Sequence, residues 1–244
     1  MVIILILTKY KISFTPSWVM SLLTIFAIFL FVRLGFWQLE RAQEKKQMLA
    51  AMSQFAKLSP IDWSMNDKLP VQYQQIKING NYLPHVLLLD NQHHNHNFGY
   101  DVISLLHTNN GKIILVDRGW VAGDITRRIY PQIKNPKGNI SISGSVYYPS
   151  TKNWVLGQAI EEKTNDLAII ESLDTKLLGQ FLHKSVYPFI IRLNRDNAYG
   201  YLREWAIVSM SPNRHYAYAF QWVVIAIAVL VIFIVLNFKK ESKK

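Results

Sequence analysis

Three groups of side chains in this sequence could do chemistry. The first is Asn213-Arg214-His215, a cation and a base held together just ahead of an apolar run (219–238) that is broken only by Gln221 and Asn237. A neutral imidazole there could ligate a haem iron. Ala219, Trp222 and Ala226 follow His215 at helical spacing, and the two alanines would leave room beside a helix for a flat macrocycle. The rival reading is an interfacial histidine bonded to a lipid headgroup or to a domain above it, and spacing alone leaves both open. The second group is His93-His94-Asn95-His96, in a polar loop where imidazoles could gather copper or zinc. Only Asp90 and Asp101 supply carboxylates nearby, so a solvated hairpin tip is the favoured reading. The third is Asp117-Arg118-Gly119-Trp120, closing an apolar strand pattern. Asp117 could be an acid or base. The simpler account is an ion pair through Arg118 and a tight strand exit at Gly119.

No catalytic constellation accompanies these groups. Gly157, Gly179 and Gly200 form no phosphate loop, and neither a G-x-S-x-G elbow nor an H-E-x-x-H helix is present, so the chain does not read as an enzyme. The absence of cysteine excludes disulfides, thiolate catalysis and Cys-ligated metal. A net charge of +11 could suggest nucleic acid, but the charges are dispersed and no nucleic-acid motif accompanies them. Lysine and arginine beside apolar blocks, meeting anionic lipid, account for the basicity, and no nucleic-acid partner is expected.

The elements that must position these residues are two apolar segments and what lies between them. Ser211-Pro212 reads as a helix start, serine as cap and proline at the first helical position. A second transmembrane helix is expected over 212–238, its first turns in the interface, where Tyr216, Tyr218 and Trp222 suit headgroup level. Residues 16–37 form the first span, read as an uncleaved anchor because Arg33, Phe36 and Trp37 stand where a cleavage site would need small residues. Residues 38–58 lack Gly and Pro and continue as a stalk helix. Lys239, Lys240, Lys243 and Lys244 crowd behind the second span, so the positive-inside rule places the C-terminus in the cytoplasm, and two spans return the N-terminus to the same side. Residues 1–15 and 239–244 are then cytoplasmic tails.

Between the spans, residues 59–211 are about the size of one domain. Alternation over 72–78, closed by Asn79-Gly80, predicts a strand, as do 85–90, 100–107, 112–121, 140–148, 188–194 and 204–210. Asn109-Asn110-Gly111 predicts a hairpin turn. Leu173, Leu177, Leu178, Phe181 and Leu182 give 167–183 helical spacing. The expected architecture is a membrane protein whose N- and C-terminal transmembrane helices flank a periplasmic α+β domain, a mainly antiparallel sheet or small barrel.

Four sequence blocks then point to a family. Arg33-Leu34-Gly35-Phe36-Trp37-Gln38-Leu39 with Arg41 and Lys45, Gly80-Asn81-Tyr82, Val116-Asp117-Arg118-Gly119-Trp120-Val121, and Pro212-Asn213-Arg214-His215-Tyr216-Ala217-Tyr218-Ala219-Phe220-Gln221-Trp222 occur in order across nearly the whole chain. Together they resemble the Surfeit-locus (Surf/Shy) cytochrome c oxidase assembly family, with Asp117 where that family's V-N-R-G-W-V block has asparagine. The resemblance implies an inner-membrane accessory factor assisting haem a delivery or insertion into subunit I of a haem–copper terminal oxidase. Its partners would be that subunit, the haem a synthesis machinery and membrane lipids. His215 matches the family's proposed haem ligand. Arg214, Gln221 and Trp222 would shape the site, Arg118 would pair a haem propionate or hold the fold, and Trp37 and Arg41 would face the partner. The rival implication is a cofactor-free scaffold that holds subunit I in an insertion-competent state. A membrane-tethered periplasmic enzyme is the third reading, unsupported by any nucleophile–base pairing.

Overall fold

A computed structural model describes residues 10–64, 68–150, 158–205 and 208–242. The chain divides into two compact units, Met1–Ala50 with Ile207–Lys244, and Ala51–Ala206.

The first unit is built on the two apolar segments. Helix α1 (Trp18–Ala56) runs unbroken for 39 residues through the expected boundary between span and stalk. Helix α3 (Pro212–Asn237) begins after Ser211 with proline in its first turn. Both are long and apolar enough to cross a membrane, and little of either apolar stretch is buried inside the protein. Helices that leave Leu, Ile and Phe uncovered along their length need lipid as their solvent. Beyond them, β1 (Tyr10–Phe14) pairs antiparallel with β10 (Phe238–Ser242), in register Phe14 to Phe238 and Tyr10 to Ser242. Residues expected as plain tails therefore pair with each other at one end of the helix pair. Residues 1–9, 243 and 244 lie outside the described residues.

The second unit carries β2 (Ile61–Asp62), β3 (Gln75–His94), β4 (Asn97–His107), β5 (Ile113–Ala122), β6 (Asn139–Tyr147), β7 (Ile160–Thr164), β8 (Leu167–Ile170), α2 (Thr175–Phe181) and β9 (Val186–Leu193). Its eight strands form one sheet whose pairings close on themselves, from β3 through β4, β5, β9 and β6 back to β3. The 20-residue β3 makes this possible: residues 75–81 pair with β6, and residues 81–94 pair with β4. Most pairings are antiparallel; β2–β3, β3–β8 and β5–β9 are parallel. Strand β5 is buried from Ile113 to Gly119 because both its faces are covered, which is why it reads as an apolar run rather than an alternation. Ile114 and Val116 join Trp63, Phe189 and Ile191 in one core cluster, while Ile113 and Leu115 join Leu178 of α2 and Ile190 in another.

Three expectations need correcting. Asn79-Gly80 closes nothing. Gly80 pairs with Ile140 in mid-strand, and a Cβ there would lie 2.7 Å from the His107 carbonyl oxygen, so glycine serves close backbone approach rather than a turn. The helical spacing over 167–183 is realised only at 175–181, where Asp174 caps α2 by accepting from the Lys176 and Leu177 N–H groups. The β-branched Ile169-Ile170 pair goes instead into β8, parallel to β3. Of the segment 204–210, residues 206 and 207 lie outside the described residues, and the others form no strand; just upstream, Leu202 makes a single bridge to Trp120. The turn at 109–111 forms as expected, with Gly111 at φ 81° and its N–H donating to the Thr108 carbonyl over 3.0 Å.

Candidate functional site

Within the first unit, α1 buries Gly35, Gln38 and Ala42, and α3 buries His215, Ala219 and Ala226. Spacings of three, four and seven put each trio on one face of its helix. Small residues there let the two backbones approach: a Cβ on Gly35 would stand 3.7 Å from the Ala219 carbonyl oxygen and 3.8 Å from the Trp222 Cβ. Phe31 stacks on Trp222 with ring centroids 5.7 Å apart and planes inclined by 14°.

His215 lies in this contact, 7% exposed, with Nδ1 2.7 Å from Gln38 Oε1. An amide oxygen only accepts, so the contact places the proton on Nδ1 and leaves Nε2 as a lone pair. Nε2 is buried and has no hydrogen-bond partner. Trp222 Nε1 is buried and unpartnered as well. An apolar groove of about 350 Å³ opens between the helices, lined by Val32, Gly35, Phe36, Tyr216, Ala219 and Phe220 among others, with none of Gln38, His215 and Trp222 in its lining. An oriented imidazole with a free lone pair is the donor that a haem iron takes, so His215 fits that group as a ligand.

The other expected site residues are placed as follows. Trp222 joins His215 on the helix contact. Arg214 and Gln221 are both exposed, on a face of α3 turned away from His215. Trp37 is 47% exposed, and Arg41 pairs with Glu44 one turn further on. Gln38 was not expected at all. Its signal in the sequence was a polar residue three positions after Gly35 and four before Ala42, on what becomes the packed face of a long apolar helix.

Arg118 belongs to the second unit and is only 2% exposed. Its Nε donates to the Tyr199 carbonyl (2.8 Å), Nη1 to Asn135 Oδ1 (2.7 Å) and Ser104 Oγ (3.1 Å), and Nη2 to the Lys134 carbonyl (3.3 Å). The rings of Tyr82 and Tyr201 lie 5.5 and 5.0 Å from the guanidinium. Every nitrogen is engaged, which leaves Arg118 to hold the fold. It makes no ion pair with Asp117, because adjacent strand residues point to opposite faces. Asp117, 1% exposed, is held well above the ordinary carboxylate range by burial and by the neighbouring Asp101, against the opposing pull of Arg192 and the Gly119 N–H. Gly119 is not a strand exit. At φ 107° it sits inside β5, where a Cβ would come within 2.5 Å of the Leu202 carbonyl oxygen.

The histidine loop is the tip of the β3–β4 hairpin, with Asn95 and His96 at positive φ. His94 packs on the Trp120 ring, centroids 5.5 Å apart, with Nδ1 3.7 Å from Glu204 Oε2. Among the described residues no three His, Asp or Glu side chains are grouped to hold a metal ion.

Two apolar helices flanking a mixed-sheet domain, with a buried, oriented histidine between the helices, are the features of a membrane protein. Residues 25–227 match the SURF1 family. The chain is 31% identical over 212 residues to a SURF1-like protein of Rickettsia conorii (strain ATCC VR-613 / Malish 7), covering 84% of this chain and 85% of that one. It is 30% identical over 221 residues to a SURF1-like protein of Rickettsia bellii (strain RML369-C), covering 87% and 88%. The chain belongs to the SURF1 family, a family of cytochrome oxidase assembly factors, and assembly is the general role that membership gives it.

Proposed function

We propose that this chain is a non-catalytic inner-membrane assembly factor for a haem–copper oxidase of the cytochrome c oxidase type, assisting haem a delivery or insertion into subunit I. The observation that carries the reading is the buried Nε2 of His215, unpartnered while Nδ1 is held by Gln38. Bound there, haem a would supply an iron that accepts one imidazole lone pair. The chain's own contribution is the rest: Gln38 sets the tautomer and ring orientation, the small residues Gly35 and Ala219 keep the groove open, and the apolar lining excludes water. Both termini are cytoplasmic and the sheet domain periplasmic in this reading. Support comes from the lysines at 239, 240, 243 and 244, and from the β1–β10 pairing, which brings the two chain ends to one end of the helix pair. Trp37, exposed one helical turn before Arg41, is the face we assign to subunit I.

The test is the visible spectrum of the protein purified in detergent after co-expression with a haem a synthesis pathway, beside His215→Ala. A stoichiometric haem a spectrum lost in the variant is expected. A colourless wild-type preparation would sink the haem reading and leave a cofactor-free scaffold for subunit I.

A further inference from the structure

The second unit holds a polar pocket of about 160 Å³ where β3, β4, β5 and β9 meet residues 202–205, and its lining includes Arg192, Asp101, His94, Trp120, Glu204 and Trp205. Arg192 is the unusual member. Its guanidinium lies flat on Tyr147, 3.8 Å from the ring centroid, with Trp205 at 5.5 Å. Ring contacts take the faces of a guanidinium and leave its N–H edges free. Its Nε is buried and has no hydrogen-bond partner. Among the described residues, neither Asp101 nor Asp117 comes within ion-pair distance, although Asp117 is the register partner of Arg192 across the β5–β9 pairing. Arg118, one residue from Asp117 in the same unit, has all its nitrogens satisfied. A buried donor left unmet is costly, and a carboxylate placed across Nε–H and Nη–H would satisfy it through two parallel bonds.

We propose that this pocket binds a small carboxylate on a short apolar stem, its oxygens in the N–H fork of Arg192 and its stem against Trp120 and Trp205. The volume, below that of pockets for drug-sized ligands, limits the ligand to a few carbons. The surrounding charges make binding proton-linked. Asp101 on β4 faces Arg192 from β9, Asp117 from β5, His93 and His94 from β3, and Glu204 from the segment leading away from the sheet. Burial raises the Asp101 carboxyl to about 6 against the pull of Arg192, and burial with the neighbouring Asp101 holds Asp117 well above the ordinary carboxylate range. Below that value Asp101 is neutral and can donate to the ligand. Above it, a second carboxylate repels the incoming one. The pocket does not depend on the haem reading, since all its residues lie in the sheet domain.

Propionate labelled with carbon-13 serves as the probe, titrated by NMR into the full chain in detergent. Saturable binding near pH 5 is expected, weakened at least about tenfold near pH 8 as Asp101 ionises. Arg192→Gln should lose binding at both pH values, with near-UV circular dichroism verifying its fold. Asp101→Asn, which keeps a neutral donor, should bind near pH 8 as tightly as the wild type does near pH 5. No binding by the wild type at either pH, binding retained by Arg192→Gln, or wild-type pH dependence retained by Asp101→Asn (which would pass the titration to His93 or His94) would each overturn the proposal.

Discussion

At the scale of single residues, a buried cation, a half-buried one and a buried base show how differently a polar group can be used. Arg118 has a partner for every nitrogen and holds the sheet domain together. Arg192 is clamped by rings and keeps an N–H unmet. His215 has one nitrogen bonded and the other free. The free nitrogen is useful only while the bonded one stays bonded, which makes Gln38 the residue to perturb. Replacing it with leucine removes the acceptor for the Nδ1 proton, and loss of such an orienting bond typically weakens a metal ligand about 10- to 100-fold. Gln38→Leu is therefore expected to bind haem a more weakly with a shifted Soret band, while Gln38→Glu, which still accepts from Nδ1, keeps the cofactor. Equal affinity and spectrum in the leucine variant would show that the contact orients nothing.

At the scale of elements, the contact between α1 and α3 depends on side-chain volume. A methyl group on Gly35 would meet its neighbours at 3.7 to 3.9 Å, ordinary van der Waals distance. Gly35→Ala should thus be accommodated and, by helix propensity, stabilise by up to about 1 kcal/mol. Gly35→Leu would push a branched side chain into the groove shared by Ala219 and Val223. Haem a stoichiometry, read as pyridine haemochrome, should stay at the wild-type level in the alanine variant and fall in the leucine variant, although His215 is untouched in both. Wild-type stoichiometry with leucine would mean that the groove is not where the macrocycle sits. The strands follow the same logic of close approach. Gly144 on β6 has no room for a Cβ, which would lie 2.4 Å from the Arg192 carbonyl oxygen, and Gly80 is equally crowded against β4. Gly80 read in sequence as a turn signal and Gly144 as part of a strand, but both work as points where backbones touch.

At the scale of the whole molecule, the question is orientation. The chain contains no cysteine, so any cysteine introduced is the only one in the protein. Ile125, 85% exposed in the loop after β5, is a suitable reporter for the sheet domain. With the outer membrane permeabilised, an impermeant maleimide should label Ile125→Cys in otherwise intact cells. A cysteine appended after Lys244 should react only after lysis. Labelling in the reverse pattern would invert the orientation and set aside the positive-inside argument from the C-terminal lysines.

What the sequence determined by itself was whatever depends on local composition and period. Two runs of apolar residues long enough to span lipid were legible as candidate membrane helices, and the blocks around Trp37, Trp120 and His215 carried the family. The strand segments were legible where alternation or β-branched residues dominated, as at 100–107 and 140–148. The rest required residues far apart in the chain. The Leu167–Ile170 stretch has helical spacing in continuity with 173–182, and only the presence of β3 on one side and β7 on the other makes it a strand. Arg118 looked like half of an ion pair with Asp117 until the pleat put the two on opposite faces and six distant residues closed around the guanidinium. Arg214 and Gln221 lie near His215 in sequence but off its helix face, since nearness in sequence says nothing about which face a partner covers. Gln38 and His215 stand 177 positions apart, and no local pattern couples them. Tertiary packing decided that one nitrogen of His215 would be held and the other left free, because only the meeting of two helix faces brings an amide oxygen to a buried imidazole.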